Sequence, residues 1–288
     1  MPTTRDSLDV GCSALSVGRS RRSAPCVLTI AGSDSGAGAG LQADSRAIHA
    51  LGGYALTAVT AITAQDSRSV AAWRPVVPSL IAAQIAAVAG DFPVRAVKTG
   101  LLPGAAAVRT VAAALDALPR APLVVDPVIG STSGTRFLPP AALCVLKQKL
   151  LPRAALVTPN WPEAALLTGL PVRTFAQAEA AAHRLLATGC AAVLVKGGHA
   201  PGDACRDVLV TSGGSVRWFE SPRIATRNTH GTGCVLSAAI ATGLAQGRPL
   251  ADAIRQARRL LARSLDAHRA LSFGSGAGPA FPGLERFK

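Results

Sequence analysis

Short runs that are apolar at nearly every position recur along this chain, among them Cys26-Val-Leu-Thr-Ile30, Leu123-Val-Val125 and Ala192-Val-Leu-Val195. A strand without polar alternation has no face for water, so both of its faces must be covered. Longer stretches with helical spacing lie between these runs. The pattern predicts strands near residues 26–30, 56–63, 94–98, 123–125, 155–158 and 192–196. It predicts helices near 39–51, 78–89, 105–118, 141–151, 162–167, 175–188, 234–246 and 250–270. A hairpin is expected where residues 207–211 and 216–219 flank Ser212-Gly213-Gly214. Strands alternating with helices imply an α/β fold, a mainly parallel sheet with helices on both faces. Residues 25–288 read as a single domain, preceded by a polar leader, residues 1–24, that is expected to be flexible and dispensable.

Composition narrows the partners. The chain has 288 residues, 49% of them hydrophobic and 16% charged, which excludes a disordered polar chain. No apolar run reaches membrane-spanning length, so no membrane span is expected. The net charge of +14 invites a nucleic-acid reading. Against it, the charge is scattered and aromatic residues amount to only 4%. The main cluster, Arg255, Arg258, Arg259, Arg263 and Arg269, recurs at helical spacing and reads as an exposed helix face. Six cysteines contain no C-x-x-C pair, and no secretory signal is present. Reduced thiols and a cytoplasmic setting are expected. Cys12, Cys144, Cys190 and Cys205 read as small apolar fillers.

In parallel sheets ligands bind beyond the carboxyl ends of the strands. The polar clusters of this sequence fall there. Asn228-Thr-His-Gly-Thr-Gly-Cys234 precedes an apolar, small-residue helix. Unpaired amides and the helix dipole at such a start bind anions, and glycines permit close approach. Alone, the segment is equally a Gly-rich turn with a buried Cys. A thiol in a first helical turn is expected to have a lowered pKa. The loop Gly32–Gly40 lacks both the P-loop ending and dinucleotide spacing. Asp34 and Asp44 there are ligands or caps. Gln65 ends a strand beside Asp66, where a carboxamide can pair with a heteroaromatic edge; the plainer reading is a surface polar pair. Asn160 and Glu163 open a helix as either a capping box or a hydrated Mg²⁺ site.

Taken in order, these segments closely resemble the hydroxymethylpyrimidine/phosphomethylpyrimidine kinases of thiamine biosynthesis, within the ribokinase-like superfamily. The matching residues are Leu28-Thr-Ile-Ala-Gly-Ser-Asp34, Ala39-Gly-Leu-Gln-Ala-Asp44, Thr60-Ala-Ile-Thr-Ala-Gln65, Lys98-Thr-Gly-Leu101 and Asp126-Pro-Val128. Further on come Thr132-Ser-Gly134, Thr158-Pro-Asn-Trp-Pro-Glu163, Val195-Lys-Gly-Gly-His199 and Asn228-Thr-His-Gly-Thr-Gly-Cys234. The terminal Cys separates these kinases from most sugar kinases, which carry Asp there. The sequence departs from the family pattern at Ala37, usually Gly, at Asp66-Ser-Arg-Ser-Val70, and at Leu101, often Met.

The resemblance implies a three-layer α/β/α sandwich, a homodimer, ATP and Mg²⁺. It implies phosphorylation of 4-amino-5-hydroxymethyl-2-methylpyrimidine and then of its monophosphate. The implied catalytic group is Gly231, Thr232, Gly233 and Cys234, with Cys234 assisting proton removal, so that Cys234→Ser should lower kcat about 10²–10⁴-fold. Gln65, Asp34, Asp44, Gly32 and Thr63 would bind substrate. Asn160, Lys196 and Thr229 would bind nucleotide, and Glu163 with Asn160 would arrange Mg²⁺ through water. A pyridoxal or pyridoxine kinase is the alternative of the same fold; a basic nucleic-acid-binding protein is the alternative of another class.

Overall fold

The computed structural model describes residues 24–130, 134, 136–198, 200 and 202–283. The polar leader, Cys12, Thr132 and His199 lie outside them. Nine strands form one sheet: β1 (Cys26–Ser33), β2 (Tyr54–Gln65), β3 (Val70–Pro75), β4 (Val94–Thr99), β5 (Leu123–Val125), β6 (Leu156–Val157), β7 (Ala192–Val195), β8 (Ala204–Thr211) and β9 (Val216–Pro222). Their order is β3-β2-β1-β4-β5-β6-β7-β8-β9. The strands from β2 to β7 pair in parallel, whereas β3 and the β8–β9 hairpin pair antiparallel at the two edges.

The apolar runs explain the layering. Along β1, Leu28 and Ile30 enter one buried cluster and Val27 enters the other. The first cluster is closed by α2 (Pro78–Asp91), α3 (Gly104–Ala114), α4 (Pro140–Val145), α5 (Trp161–Thr168) and α6 (Phe175–Leu186). The second is closed by α1 (Gly40–Ala50), α7 (Thr232–Ala245) and α8 (Leu250–Ala267). Helix α7 packs on β1, β4 and β5, with α1 beside it on the sheet and α8 against it, so its body, Val235 to Ala245, is almost wholly buried. That explains its Ala, Gly and Ser content, since bulkier side chains would not fit at that spacing.

Two expectations give way and one strand is added. Residues 70–75, to which no element was assigned, form the edge strand β3, whose largely exposed sequence lacks the apolar run of a central strand. The helix expected over 141–151 is α-helical only at Pro140–Val145. It then widens to a π-turn over Leu146–Leu150 and tightens to a 3₁₀ turn over Leu151–Arg153, where Pro152 cannot continue the ladder. The arginine cluster of α8 is not one solvated face. Arg258 turns inward to pair with buried Asp207 and donates to Cys205 O and Ser221 Oγ. Among the fillers, Cys190 is buried, but Cys144 is exposed.

Candidate active site

Strand β1 has β2 on one side and β4 on the other, so the chain changes direction across the sheet at β1 and β4. A crevice at such a switch point is where α/β folds bind ligands. The glycine loop leaves the sheet here, and Lys98-Thr99 ends β4. Lys98 is fully buried, with Nζ 2.9 and 2.7 Å from the two carboxylate oxygens of Asp44. Thr29 Oγ1 also donates to Asp44 Oδ2, at 2.5 Å. Burial alone would discharge Lys98. The Asp44 carboxylate, with Asp126 nearby, outweighs it and holds the ammonium charged.

Asp34 organises its own loop. Its Oδ1 accepts from Gly36 N at 2.9 Å, and its Oδ2 accepts from Gly38 N at 3.0 Å, Ala39 N at 2.8 Å and His230 Nε2 at 3.0 Å. Burial raises its pKa, but these donors more than offset that and hold the carboxyl below its ordinary value. A carboxylate offers about four acceptor positions. At Asp34 three donors meet Oδ2 and one meets Oδ1, so the carboxylate shapes its loop.

The anion-binding end lies opposite. Gly231 caps α7 with φ +76°, and a Cβ there would collide with Gly38 O, so the motif loop and the glycine loop meet backbone to backbone. No side chain caps α7, and the amides of Gly233 and Cys234 find no backbone acceptor among the described residues. Lys196 stands beside them, its Nζ 3.0 Å from where a Cβ on Gly233 would sit. Asp126 Oδ1 holds Lys196 Nζ at 2.9 Å, and Thr158 and Ser237 hydroxyls reach the same carboxylate, each at 3.3 Å. Lys196 and Lys98 keep Asp126 ionised against the cost of burial.

Cys234 corrects an expectation. The helix start favours the thiolate, but close packing around Sγ disfavours it more strongly. Lys98 and an N–H from Gly40 only partly compensate, and the thiol is pushed up to about 12. The residue retains partial solvent access, yet its sulfur is a neutral group near pH 7.

The remaining residues are placed as follows. Gln65 is half-buried at the end of β2, its Nε2 3.0 Å from His230 Nε2. The Thr63 hydroxyl donates to Ser33 O at 3.0 Å, and Gly32 packs beneath Leu101. Asn160 and Glu163 form a reciprocal capping box at α5, with bonds of 2.8 and 2.9 Å. Burial pushes the Glu163 carboxyl up despite the nearby Lys196. Thr229, within the Asn228–Cys234 motif, is exposed. Sequence reasoning gave no role to Lys98, Asp126 or His230. For the first two the signal was a charge closing an apolar strand; for His230 it was its place directly before Gly-Thr-Gly. A shallow depression lined by Asp203, Ala204, Glu220, Ser221 and Pro222 lies at the β8–β9 edge and contains none of these residues.

A mainly parallel sheet with an uncapped helix start, one buried and one partly buried lysine and a glycine loop at its strand tips defines a small-molecule kinase of ribokinase-like fold. Residues 34–281 match the phosphomethylpyrimidine kinase family, and the chain belongs to it. It is 46% identical over 255 residues to the hydroxymethylpyrimidine/phosphomethylpyrimidine kinase of Rhizobium meliloti, covering 88% of this chain and 94% of that protein. It is 45% identical over 253 residues to a thiamine biosynthesis bifunctional protein of Geobacter sulfurreducens, covering 88% of this chain but 51% of that one. Among solved structures, the phosphomethylpyrimidine kinase of Clostridium difficile superposes with a TM-score of 0.74 at 35% identity, over 83% of this chain and 99% of that one. An ADP complex of Bacillus subtilis pyridoxal kinase superposes with a TM-score of 0.82 at 32% identity, over 90% and 98%.

Proposed function

We propose that the protein uses ATP to phosphorylate the hydroxymethyl group of 4-amino-5-hydroxymethyl-2-methylpyrimidine, and then the resulting monophosphate to the diphosphate. The observation that carries this reading is the facing of two unlike surfaces: a carboxamide and carboxylate side at Gln65 and Asp44, and a cationic, amide-lined helix start at Gly231–Cys234. Gln65 reads the ring edge, while Asp44, fully buried, holds Lys98 and Thr29 beneath the site. The amides of Gly231 to Cys234 hold the transferring phosphoryl group. Lys196 compensates phosphate charge, with Asn160 and Thr229 on the nucleotide side. Cys234 contributes a neutral thiol that hydrogen-bonds the reacting hydroxyl. Phosphoryl transfer depends on positioning and charge stabilisation more than on a strong base.

The site fits Mg²⁺ in its hydrated form. Glu163 is a carboxyl that burial disfavours as an anion, and a nearby cation reverses that penalty. Bound there, the ion neutralises phosphate charge. No cluster of three or more acidic, His or Cys side chains able to cage a metal occurs among the described residues. The resemblance adds a homodimer and a cytoplasmic setting to this reading. No helix among the described residues is long and apolar enough to cross a membrane.

The test is ATP turnover with the hydroxymethylpyrimidine, then with its monophosphate, and in parallel with pyridoxal. Turnover of both pyrimidines with the higher kcat/KM is expected. A higher kcat/KM for pyridoxal assigns the protein to the rival reaction, and no turnover of any of the three overturns the reading.

A further inference from the structure

Arg258 and Asp207 form an ion pair outside the crevice at the strand tips. Arg258 Nη1 donates to Asp207 Oδ2, and its Nη2 donates to Cys205 O at 3.0 Å and to Ser221 Oγ at 2.8 Å. Asp207 is buried, with 4% of its surface exposed. A buried ion pair is weak evidence of a stabilising role, because desolvating both charges offsets most of their attraction. Apolar side chains of similar volume would hold α8 in place as well. The carboxylate does something that they could not: its other oxygen, Oδ1, accepts from Gly197 N at 2.8 Å.

Gly197 follows Lys196, at the point where β7 stops pairing with β8. The ladder ends with Val195 opposite Val208. One residue on, Lys196 N points to the other neighbour and donates to Pro159 O at 2.8 Å. The next amide, Gly197 N, points back and meets Asp207 Oδ1 where a backbone carbonyl would continue the ladder. Gly197 lies so close to β8 that a Cβ there would collide with Arg206 O, an approach only glycine permits. The backbone at Lys196 is therefore gripped from both sides, and one of the grips is the Asp207 side chain. Each oxygen of that carboxylate has its own donor, which fixes its orientation. Helix α8, which carries Arg258, packs against α7, whose first turn supplies the amides of the anion site. The links from Gly197 through Asp207 to Arg258 tie the strand end bearing Lys196 to the helix layer bearing those amides.

We propose that Asp207, oriented by Arg258, is a positioning residue for Lys196: it holds the Lys196–Gly197 peptide in the place that sets the Lys196 ammonium beside the α7 amides, where nucleotide phosphates are met. The proposal rests on the reading of Lys196 as a nucleotide-side residue, and it adds what holds that lysine there.

The test is a double-mutant cycle on Lys196 and Asp207, read by calorimetry as the Kd for a non-hydrolysable ATP analogue with Mg²⁺. Asp207→Ala should weaken binding about tenfold, the scale of one charge-assisted hydrogen bond. Lys196→Met should weaken it at least as much. Adding Asp207→Ala to Lys196→Met should weaken it no further, because no ammonium remains to be positioned. A side chain that only stabilises the fold would add its cost in either background. Where Asp207→Ala does not fold, the near-isosteric Asp207→Asn, with one acceptor oxygen for two donors, carries the same cycle. Unchanged binding in the Asp207 variant, or losses that add, overturns the proposal while leaving Lys196 its role. Unchanged binding in Lys196→Met instead removes the reading of Lys196, and the proposal with it.

Discussion

At Cys234 two fields act on one sulfur. The first turn of α7 and the Lys98 ammonium favour a thiolate; the surrounding packing and the carboxylates of Asp44 and Asp126 disfavour it. The second set wins by about three pH units over an ordinary thiol. A preformed thiolate base is therefore scarce near pH 7. Iodoacetamide at pH 8, followed by peptide mapping, should label exposed Cys144 well before Cys234. Cys234→Ser retains a neutral hydrogen-bonding group, so its kcat should stay within about tenfold of wild type, short of the 10²–10⁴-fold that loss of a general base costs. Preferential labelling of Cys234, or a loss above a hundredfold, would restore the base.

At the scale of elements, two non-glycine residues among those described have a positive φ, Val128 after Asp126-Pro127 and Ala37 in the glycine loop. Ala37 has φ +56°, in the left-handed region, at the position where the resemblance expects Gly. An L-residue there costs about 1–2 kcal/mol, part of which is offset by glycine's freedom in the unfolded chain. Ala37→Gly should therefore raise the melting temperature by about 1–3 °C. A fall would mean that the Ala37 methyl contributes packing that outweighs the strain. The sequence displayed this loop through its composition, and it displayed the central strands because residues buried on both faces must be apolar throughout. The hairpin was equally legible from its Gly-Gly turn. Strand β3 was not, because largely exposed Val-Ala-Ala-Trp-Arg-Pro has the composition of a loop and is a strand only by pairing with β2. In the site, residue types at the strand tips pointed to the right neighbourhood. The contact of Asp34 with His230, the Lys98–Asp44 pair and the contact of His230 with Gln65 were hidden, since each joins residues far apart in the chain.

For the whole molecule, acid is the weak side. Asp34 and Asp126 have pKa values below 3.8 in the folded protein. A depressed carboxyl stabilises the fold above its unfolded pKa and loses that contribution as pH falls through the folded value. Protonation also removes the 16 carboxylates that counter 30 cationic side chains, so self-repulsion grows in the same window. The melting temperature should hold steady above about pH 5 and fall between pH 4 and 2, less steeply in high salt and in Asp34→Asn. A profile flat to pH 3 would show that neither carboxylate is stabilised by folding. The burial of α7 has a different consequence. With its body fixed against the sheet and two helices, the phosphate-binding end of this protein is an immobile datum. The glycine loop, the end of β2 with the β2–β3 turn, and the segment after α8 are joined by a few hydrogen bonds through Ser35 and Ser67. Changes of substrate can therefore accumulate along that movable rim without the chemistry at the fixed end having to be rebuilt.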